Sequence, residues 1–425
     1  FSSPMNSDQR RQHHSSTGTN RGMIQKNNSK KHPGAGLVVL ALTAFIALGM
    51  PDGVLGVAWP SVRAGFSLPL DAVGLLIVAS TTGYLTSTFL SGLLVARMGI
   101  GLLLAASCAL TGVGLIGYTV VPAWWMMVLL GTAAGLGAGA IDAGLNTYAA
   151  AHFSPGLMQC LHASYGVGAT LGPVIMTAAL STMNSWRTGY IILGGFQLIL
   201  AISFALTLPV WSIKTAGEDA ARRLTDYKTP LGKTLRHPGA WLSMLLFFLY
   251  TGSEFSLGTW TYSLLTESRG IRPEVAGLWA GSYWATFTAG RFAAGLYAGR
   301  LGVDRMVRGS LLTALFGALL WWWNPAPAAN LAAVGLIGLA IAPIYPALTT
   351  GTSRRVGVSH AANTIGMQMA AGSLGCAIIP ALIGVLARRI SLEIIPIAIA
   401  CIFTALLALH ALASGKNQDG RDGVN

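Results

Sequence analysis

Long uncharged apolar runs recur along the whole chain and constrain its fold more than any other feature. Each run covers about 25 residues, and a helix of roughly 20 residues already crosses the hydrocarbon core of a bilayer. Backbone polar groups must be satisfied inside lipid, so runs of this length favour helices. The sequence predicts an all-α membrane protein with twelve spans, at residues 36–62, 72–96, 102–121, 124–150, 158–183, 188–211, 239–265, 275–299, 307–323, 328–351, 361–387 and 394–413.

Polar segments divide the chain and orient it. A polar linker at 212–238 separates a six-helix bundle at 36–211 from a second at 239–413, and polar tails flank them at 1–35 and 414–425. With the N-terminus inside, the inner segments carry twenty Lys and Arg residues and the outer loops carry six. By the positive-inside rule we expect both termini, the disordered first tail and the linker in the cytoplasm, with the bundles in the plasma (inner) membrane. Contact with anionic lipid accounts for the net charge of +13, so we expect no nucleic-acid partner. We also expect the protein to be a monomer.

The two halves repeat one another at an offset of 203 residues. The matched positions are Gly74 with Gly277, Gly92 with Gly295, Arg97 with Arg300, and Gly99 with Gly302. Internal duplication is typical of secondary transporters. It predicts two pseudo-symmetric six-helix bundles.

Three carboxylates, Asp52, Asp142 and Glu254, lie inside predicted spans. An acid at the centre of a membrane helix costs on the order of 3 kcal/mol, so a function is the best reason for its presence. Burial favours the neutral form of a carboxyl group, which lets such a group carry a proton. The alternative for each aspartate is a structural hydrogen bond between helices, and for Glu254 a static pair with Arg291. Flanking proline and glycine residues predict an interruption of the first helix beside Asp52.

One loop motif carries a resemblance to a known family. The segment Gly92-Leu-Leu-Val-Ala-Arg97-Met-Gly99 resembles the motif between the second and third spans of the major facilitator superfamily, with Ala96 where that family usually has an acid. The resemblance implies the major facilitator fold and transport by alternating access. It also implies gating roles for six residues of the motif and its copy: Gly92, Arg97, Gly99, Gly295, Arg300 and Gly302.

Within that superfamily the chain resembles the fucose-permease-like group of sugar and proton symporters. The segment Gly139-Ala-Ile-Asp142-Ala-Gly-Leu-Asn146 is similar to the group's glycine-rich fourth helix, and its acid and asparagine share one helix face. The surroundings of Asp52 resemble those of the group's second functional acid. The resemblance implies proton coupling and sugar binding at Asp52 and Asp142. We add Glu254 as a third candidate for proton coupling.

Aromatic and polar residues on the spans that line the cavity in this fold suit a sugar. Pyranose rings pack on aromatic side chains, and their hydroxyls need both donors and acceptors. The alternative role for any one of these aromatics is helix packing or a place in the interfacial belt. The substrate-binding candidates are Trp59, Asn146, His162, Tyr165, Trp260, Trp284, Tyr345 and Gln368, with Tyr84 and Tyr262 in the same set.

These features predict proton-coupled symport of a fucose-like or hexose-like monosaccharide. The alternative is a proton-coupled antiporter that exports drugs or small metabolites. Serine-hydrolase, zinc-peptidase and phosphate-loop motifs are all missing from the sequence, so we expect no enzyme. The four cysteines fall in different spans, and we expect no disulfide, no metal site and no cofactor besides the coupling proton.

Overall fold

The computed structural model describes residues 34–211 and 229–422. Most of the predicted tail at 1–35, most of the linker at 212–238, and residues 423–425 lie outside the described residues. All structural statements below refer to the described part.

Twelve long helices form within the described residues, as the sequence predicted. They are α1 (Ala35–Gly65), α2 (Val73–Met98), α3 (Ile100–Gly117), α4 (Trp124–His152), α5 (Pro155–Met183), α6 (Trp186–Leu206), α7 (Pro238–Ser263), α8 (Pro273–Leu301), α9 (Val303–Trp323), α10 (Pro327–Ile341), α11 (Val358–Arg389) and α12 (Ile394–Asp422). Eleven spans in the described residues are long and apolar enough to cross a membrane. The remaining helix, α8, is 29 residues long and carries Glu274, Arg291 and Arg300 along its length.

The predicted interruption of the first helix is wrong, because α1 continues unbroken through Pro51 and Pro60. The glycines beside Asp52 serve close packing instead. A Cβ atom at Gly53 would overlap the main-chain oxygen of Ala169 in α5. Small residues let membrane helices approach in this way.

A break occurs in α10 instead. That helix ends at Ile341, and a second helical segment, Ile344–Thr350, continues the same span after Pro343. Proline has no N–H group to donate, which explains a break at this point. The sequence predicted one continuous span over 328–351.

The repeated glycines make the same turn in both halves. Gly99 alone joins α2 to α3, and Gly302 alone joins α8 to α9, each with φ of +74°. Residues with a Cβ atom rarely adopt this conformation, so both positions require glycine.

The apolar core shows where the two halves meet. We call α1–α6 the N-terminal half and α7–α12 the C-terminal half. The terminal side is where α1 begins, and the distal side is where α1 connects to α2. The larger core contains residues of both halves, such as Val57 and Trp59 with Leu257 and Trp260. Its residues from the N-terminal half come from the distal and central parts of that half. A smaller core on the terminal side, around Phe45, belongs to the N-terminal half alone. The halves are therefore joined on the distal side.

Candidate functional site

Asp52 lies in the middle of α1 and faces α5. The hydroxyl of Tyr165 donates a hydrogen bond to its carboxylate. Both side chains are half-buried. The close approach of α1 and α5 at Gly49, where a Cβ atom would overlap the main-chain oxygen of Tyr165, brings the two groups together.

Asp142 on α4 has a similar setting. Its carboxylate accepts a hydrogen bond from the hydroxyl of Tyr84 on α2. Asn146, one turn later, donates to the same carboxylate over 2.8 Å and to the Asp142 main-chain oxygen over 3.0 Å. The predicted shared face of Asp142 and Asn146 is therefore observed. Gly139 allows the approach of α2, since a Cβ atom there would overlap the main-chain oxygen of Tyr84.

The three acids belong to one electrostatic cluster. The charge of Asp52 interacts through space with those of Glu254 and Asp142, so the cluster joins the two halves. Asp142 also interacts with His162, whose side chain is exposed. We call the space at this cluster the central hollow. The half-buried aspartates and the exposed histidine show that it is accessible to water.

The C-terminal half contributes Glu254, Arg291 and Tyr345 to the hollow. Tyr345 interacts electrostatically with both of these charged groups and with Asp142 across the hollow. Its hydroxyl donates to the sulfur of Met369 over 2.6 Å. Tyr345 follows the break in α10 directly, so the break lies next to the site.

The alternative considered for Glu254, a static ion pair with Arg291, does not form among the described residues. Among the ion pairs of the described residues, no nitrogen of Arg291 lies within 4.0 Å of an acid. Arg291 does not turn away from the site either, because its charge interacts with Glu254 and with His162. Sequence reasoning considered Arg291 as a static partner of Glu254, and the structure places it at the hollow without that pair.

Four predicted substrate-binding residues lie away from the hollow in this conformation. Trp59, Trp260, Trp284 and Gln368 are each at most 1% exposed. The indole N–H groups of the first two donate to main-chain oxygens, of Leu70 and Pro380 respectively. Trp284 packs against Tyr283 and Phe287, and the Gln368 carbonyl accepts from Thr352. Substrate contact by these four stays a prediction that needs another conformation.

The loop motif lies on the terminal side, away from the acids. Arg97 is exposed, and a Cβ atom at Gly92 would meet open space. Gly99 and Gly302 form the two one-residue turns. The side chains at 295–300, which include Gly295 and Arg300, lie outside the described set.

Two ion pairs join the halves on the distal side. Arg63 at the end of α1 pairs with Glu267 just after α7, and Asp71 before α2 pairs with Arg388 near the end of α11 at 3.1 Å. A Cβ atom at Gly56 would overlap the main-chain oxygen of Gly258, so α1 and α7 touch there. We call these contacts the distal seam. Sequence reasoning counted both arginines only as loop charges, and opposite charges at helix ends were the signal that it missed.

Several proteins resemble this chain in sequence over most of its length. The sodium-dependent glucose transporter 1A of Mus musculus is 26% identical over 394 residues, covering 81% of this chain and 88% of the relative. The glucose/mannose transporter GlcP of Bacillus subtilis is 20% identical over 356 residues, covering 82% and 87%. The bypass of stop codon protein 6 of Saccharomyces cerevisiae is 22% identical over 409 residues, covering 88% and 81%.

Solved structures show the same fold. A bacterial homologue of the human lysosomal transporter Spinster, in an inward-facing and occupied conformation, superposes with a TM-score of 0.73 at 14% identity. It covers 89% of this chain and 96% of that one. The nucleoside transporter NupG superposes with a TM-score of 0.69 at 13% identity, covering 89% and 98%.

The sequence pattern of one family extends over most of the helical region. Residues 40–380 match the Major Facilitator Superfamily. The match includes the loop motif and all residues of the central hollow named above. This chain therefore belongs to the major facilitator superfamily and is a multi-pass membrane transporter rather than an enzyme.

Proposed function

We propose that this protein is a proton-coupled symporter of a neutral, hexose-like or fucose-like monosaccharide. The observation that carries the proposal is the pair of half-buried aspartates, each bound by a tyrosine hydroxyl, at one hollow between the two halves. Acids kept inside a membrane domain are costly and mark ion pathways. The relatives named for glucose and mannose transport support a sugar as the solute.

Coupling follows from the way in which these acids are held. A tyrosine hydroxyl donates to a carboxylate, so Tyr84 and Tyr165 stabilise the ionised form of each acid. When an acid takes up a proton, that charge disappears from the hollow, and the helices no longer carry a buried ion as they move. A proton and a solute bound together therefore favour reorientation of the carrier. Glu254 is the third candidate for the same role.

The polar groups of the hollow suit a sugar. Asn146, His162, Tyr165 and Tyr345 offer donors and acceptors from both halves, and tyrosine rings offer flat faces for pyranose C–H groups. The two halves would rock about this site, with the distal seam closed in the present conformation.

The basic residues assign the two sides. The terminal side, with its excess of Lys and Arg, would face the cytoplasm, so the distal seam would close the site to the outside of the plasma (inner) membrane. Both termini would then be cytoplasmic. We propose that the monomer is the transporting unit.

Proteoliposomes with an internal pH-sensitive dye test the proposal. A panel of fucose, glucose and mannose is added outside, and we expect internal acidification with one or more of them. The variant Asp142→Asn removes the charge with little change in shape, so we expect sugar-dependent acidification to disappear. Glu274→Gln is the matched control, since it makes the same chemical change at an exposed acid.

Three results would contradict the proposal. The first is unchanged acidification in Asp142→Asn. The second is sugar uptake driven by a sodium gradient with no pH gradient, which would replace the proton as the coupling ion. The third is proton-driven efflux of ethidium-like cations without transport of any sugar of the panel, which would make the protein an exporter.

A further inference from the structure

Arg291 has a guanidinium group with unused hydrogen-bonding capacity. Its guanidinium carbon lies 4.4 Å from the centre of the Phe287 ring, one turn earlier on α8. Its Nε atom is buried and has no hydrogen-bond partner among the described residues. The Arg291 charge interacts with His162 of the N-terminal half and with Glu254 of its own half. The guanidinium is therefore held at the hollow by ring stacking.

Glu254 is held differently from the two aspartates. Two tyrosines lie beside it, and their hydroxyls donate to main-chain oxygens, with Tyr250 also in hydrogen-bonding reach of the Glu254 side chain. Tyr250 donates to Ile341 over 3.1 Å, and Tyr283 donates to the main-chain oxygen of Glu254 over 2.9 Å. A carboxylate has about four acceptor positions, so that of Glu254 retains acceptor capacity.

A carboxylate and a guanidinium thus face one hollow without touching. Separated buried charges are costly, and the cost falls when polar groups fill the gap. A hydroxyl group suits the gap because its hydrogen is donated to a carboxylate while a neighbouring hydroxyl oxygen accepts from a guanidinium. Such charge-assisted hydrogen bonds are roughly twice as strong as neutral ones. The two charges cancel, so a neutral solute is favoured over an ion.

We propose that Glu254 and Arg291 form the hydroxyl-selective subsite of the C-terminal half. In this subsite, two neighbouring hydroxyls of a neutral monosaccharide bridge the carboxylate and the guanidinium. Tyr345, which interacts with both charges, forms its rim. The inference rests on the proposed function, since it names the part of the sugar that this half recognises. It assigns Glu254 to solute selection and leaves proton coupling to Asp52 and Asp142.

Binding selectivity of the purified full-length protein tests the subsite. Calorimetric affinities are measured for D-glucose, its monodeoxy analogues and D-glucuronate, on the wild type, Arg291→Lys and Glu254→Gln. Loss of one charge-assisted bond lowers affinity roughly 10- to 100-fold, so the wild type should discriminate against one or two monodeoxy analogues by that factor. Each variant should lose affinity for glucose by a similar factor, and it should bind as tightly as the wild type does the monodeoxy analogue that lacks the hydroxyl contacted by its own residue. Arg272→Lys and Glu274→Gln, at exposed positions before and within the first turn of α8, are the matched controls.

The outcomes separate the subsite from the proposed function. Failure of the wild type to bind any hexose would overturn both. Hexose binding with full discrimination in both variants would overturn only the subsite, as would tighter binding of glucuronate than of glucose. Unchanged glucose affinity in Glu254→Gln, with loss of sugar-driven proton movement, would return Glu254 to the coupling groups. If Glu254→Gln fails to fold, Arg291→Lys decides alone, because it keeps the charge and removes only the forked geometry.

Discussion

The two halves of the molecule share a scaffold but hold their acids differently. Asp52 lies on the first helix of the N-terminal half and Glu254 on the first helix of the C-terminal half, each four residues before a glycine. Asp52 receives a tyrosine hydroxyl directly, as does Asp142. Glu254 also has a tyrosine, Tyr250, beside its side chain, but it differs in lying in electrostatic range of an arginine that does not pair with it.

This difference suggests a division of work between the halves. A carboxylate bound by one neutral donor can gain and lose a proton with little rearrangement of its neighbours. Glu254 lies near a fixed cation as well, and the two charged groups together can bind the hydroxyls of a neutral solute. Duplication supplied the same fold twice, and the residues around each acid then determined which half handles protons and which half selects the solute.

The largest expected effect comes from the acid of the N-terminal half. In Asp52→Asn we expect sugar-dependent proton uptake to fall below detection while sugar binding persists, because the amide cannot carry a proton. Tyr165→Phe, which removes only the donor to Asp52, should reduce uptake by roughly 10-fold, the effect of one charge-assisted hydrogen bond. Dye-loaded proteoliposomes measure both.

The control for this prediction is Tyr283→Phe in the other half, whose hydroxyl donates to a main-chain oxygen. Equal loss of proton uptake in Tyr165→Phe and Tyr283→Phe would remove the proposed difference between the halves.

The second prediction uses the two corresponding glycines, which have different neighbours. A Cβ atom at Gly56 would overlap Gly258 of the other half, whereas a Cβ atom at Gly258 would lie 2.7 Å from the Trp284 ring of its own half. Overpacking costs about 1–3 kcal/mol, so Gly56→Val should open the distal seam and Gly258→Ala should lower the melting temperature instead. Spin labels at Met183 and Arg272, in a cysteine-free background, report opening as a longer distance. Opening by both variants, or by neither, would contradict this assignment.

The fold was largely readable from the sequence, but the partners of the site residues were not. Uncharged runs and the glycine repeat predicted twelve helices and two halves because lipid leaves few alternatives for a run of that length. The break in α10 was not predicted because the apolar run at 328–351 was read as one span from its length, although it contains Pro343 and Pro346. At Asp52 the opposite error arose, since the glycines that signalled a break serve close packing.

Side-chain partners depend on how neighbouring helices are rotated and shifted, which residue spacing within one helix does not specify. The Asp142 and Asn146 pair was predicted because both lie on α4. The hydroxyl donors Tyr84 and Tyr165 come from other helices, and they were predicted only as possible sugar contacts. Trp59 and Trp260 were predicted as sugar contacts from their residue type and their spans, which do not say that both side chains are buried in the core.

A smaller effect is expected from the ion pair between Asp71 and Arg388. This pair crosses the distal seam, whereas the corresponding acid in the C-terminal half, Glu274 in the first turn of α8, is exposed. An exposed ion pair contributes about 0.2–1 kcal/mol, so Arg388→Gln should shift the conformational equilibrium away from the closed seam by roughly 1.5- to 5-fold. The same spin labels measure the shift, and it should shrink in high salt. An equal shift in Glu274→Gln would show that the effect is not specific to the seam.

The smallest effect belongs to Glu393, at the start of α12, where the N-terminal half has Ser185 at the start of α6. Burial would raise the pKa of Glu393, but hydrogen bonds from Arg269 and Ser268, together with the charge of Arg269, outweigh it and hold the pKa below its ordinary value. A lowered folded-state pKa stabilises the protein above the ordinary glutamate pKa, and this contribution disappears as the pH falls below about 4.3. Glu393→Gln should therefore lower the melting temperature in detergent slightly at pH 7 and make no difference to it in strong acid, with Glu274→Gln as the control. If Glu393→Gln has the same melting temperature as the wild type at pH 7, the contacts of Glu393 with Arg269 and Ser268 do not stabilise the C-terminal half. Glu393 would then contribute no more than Ser185 does in the N-terminal half.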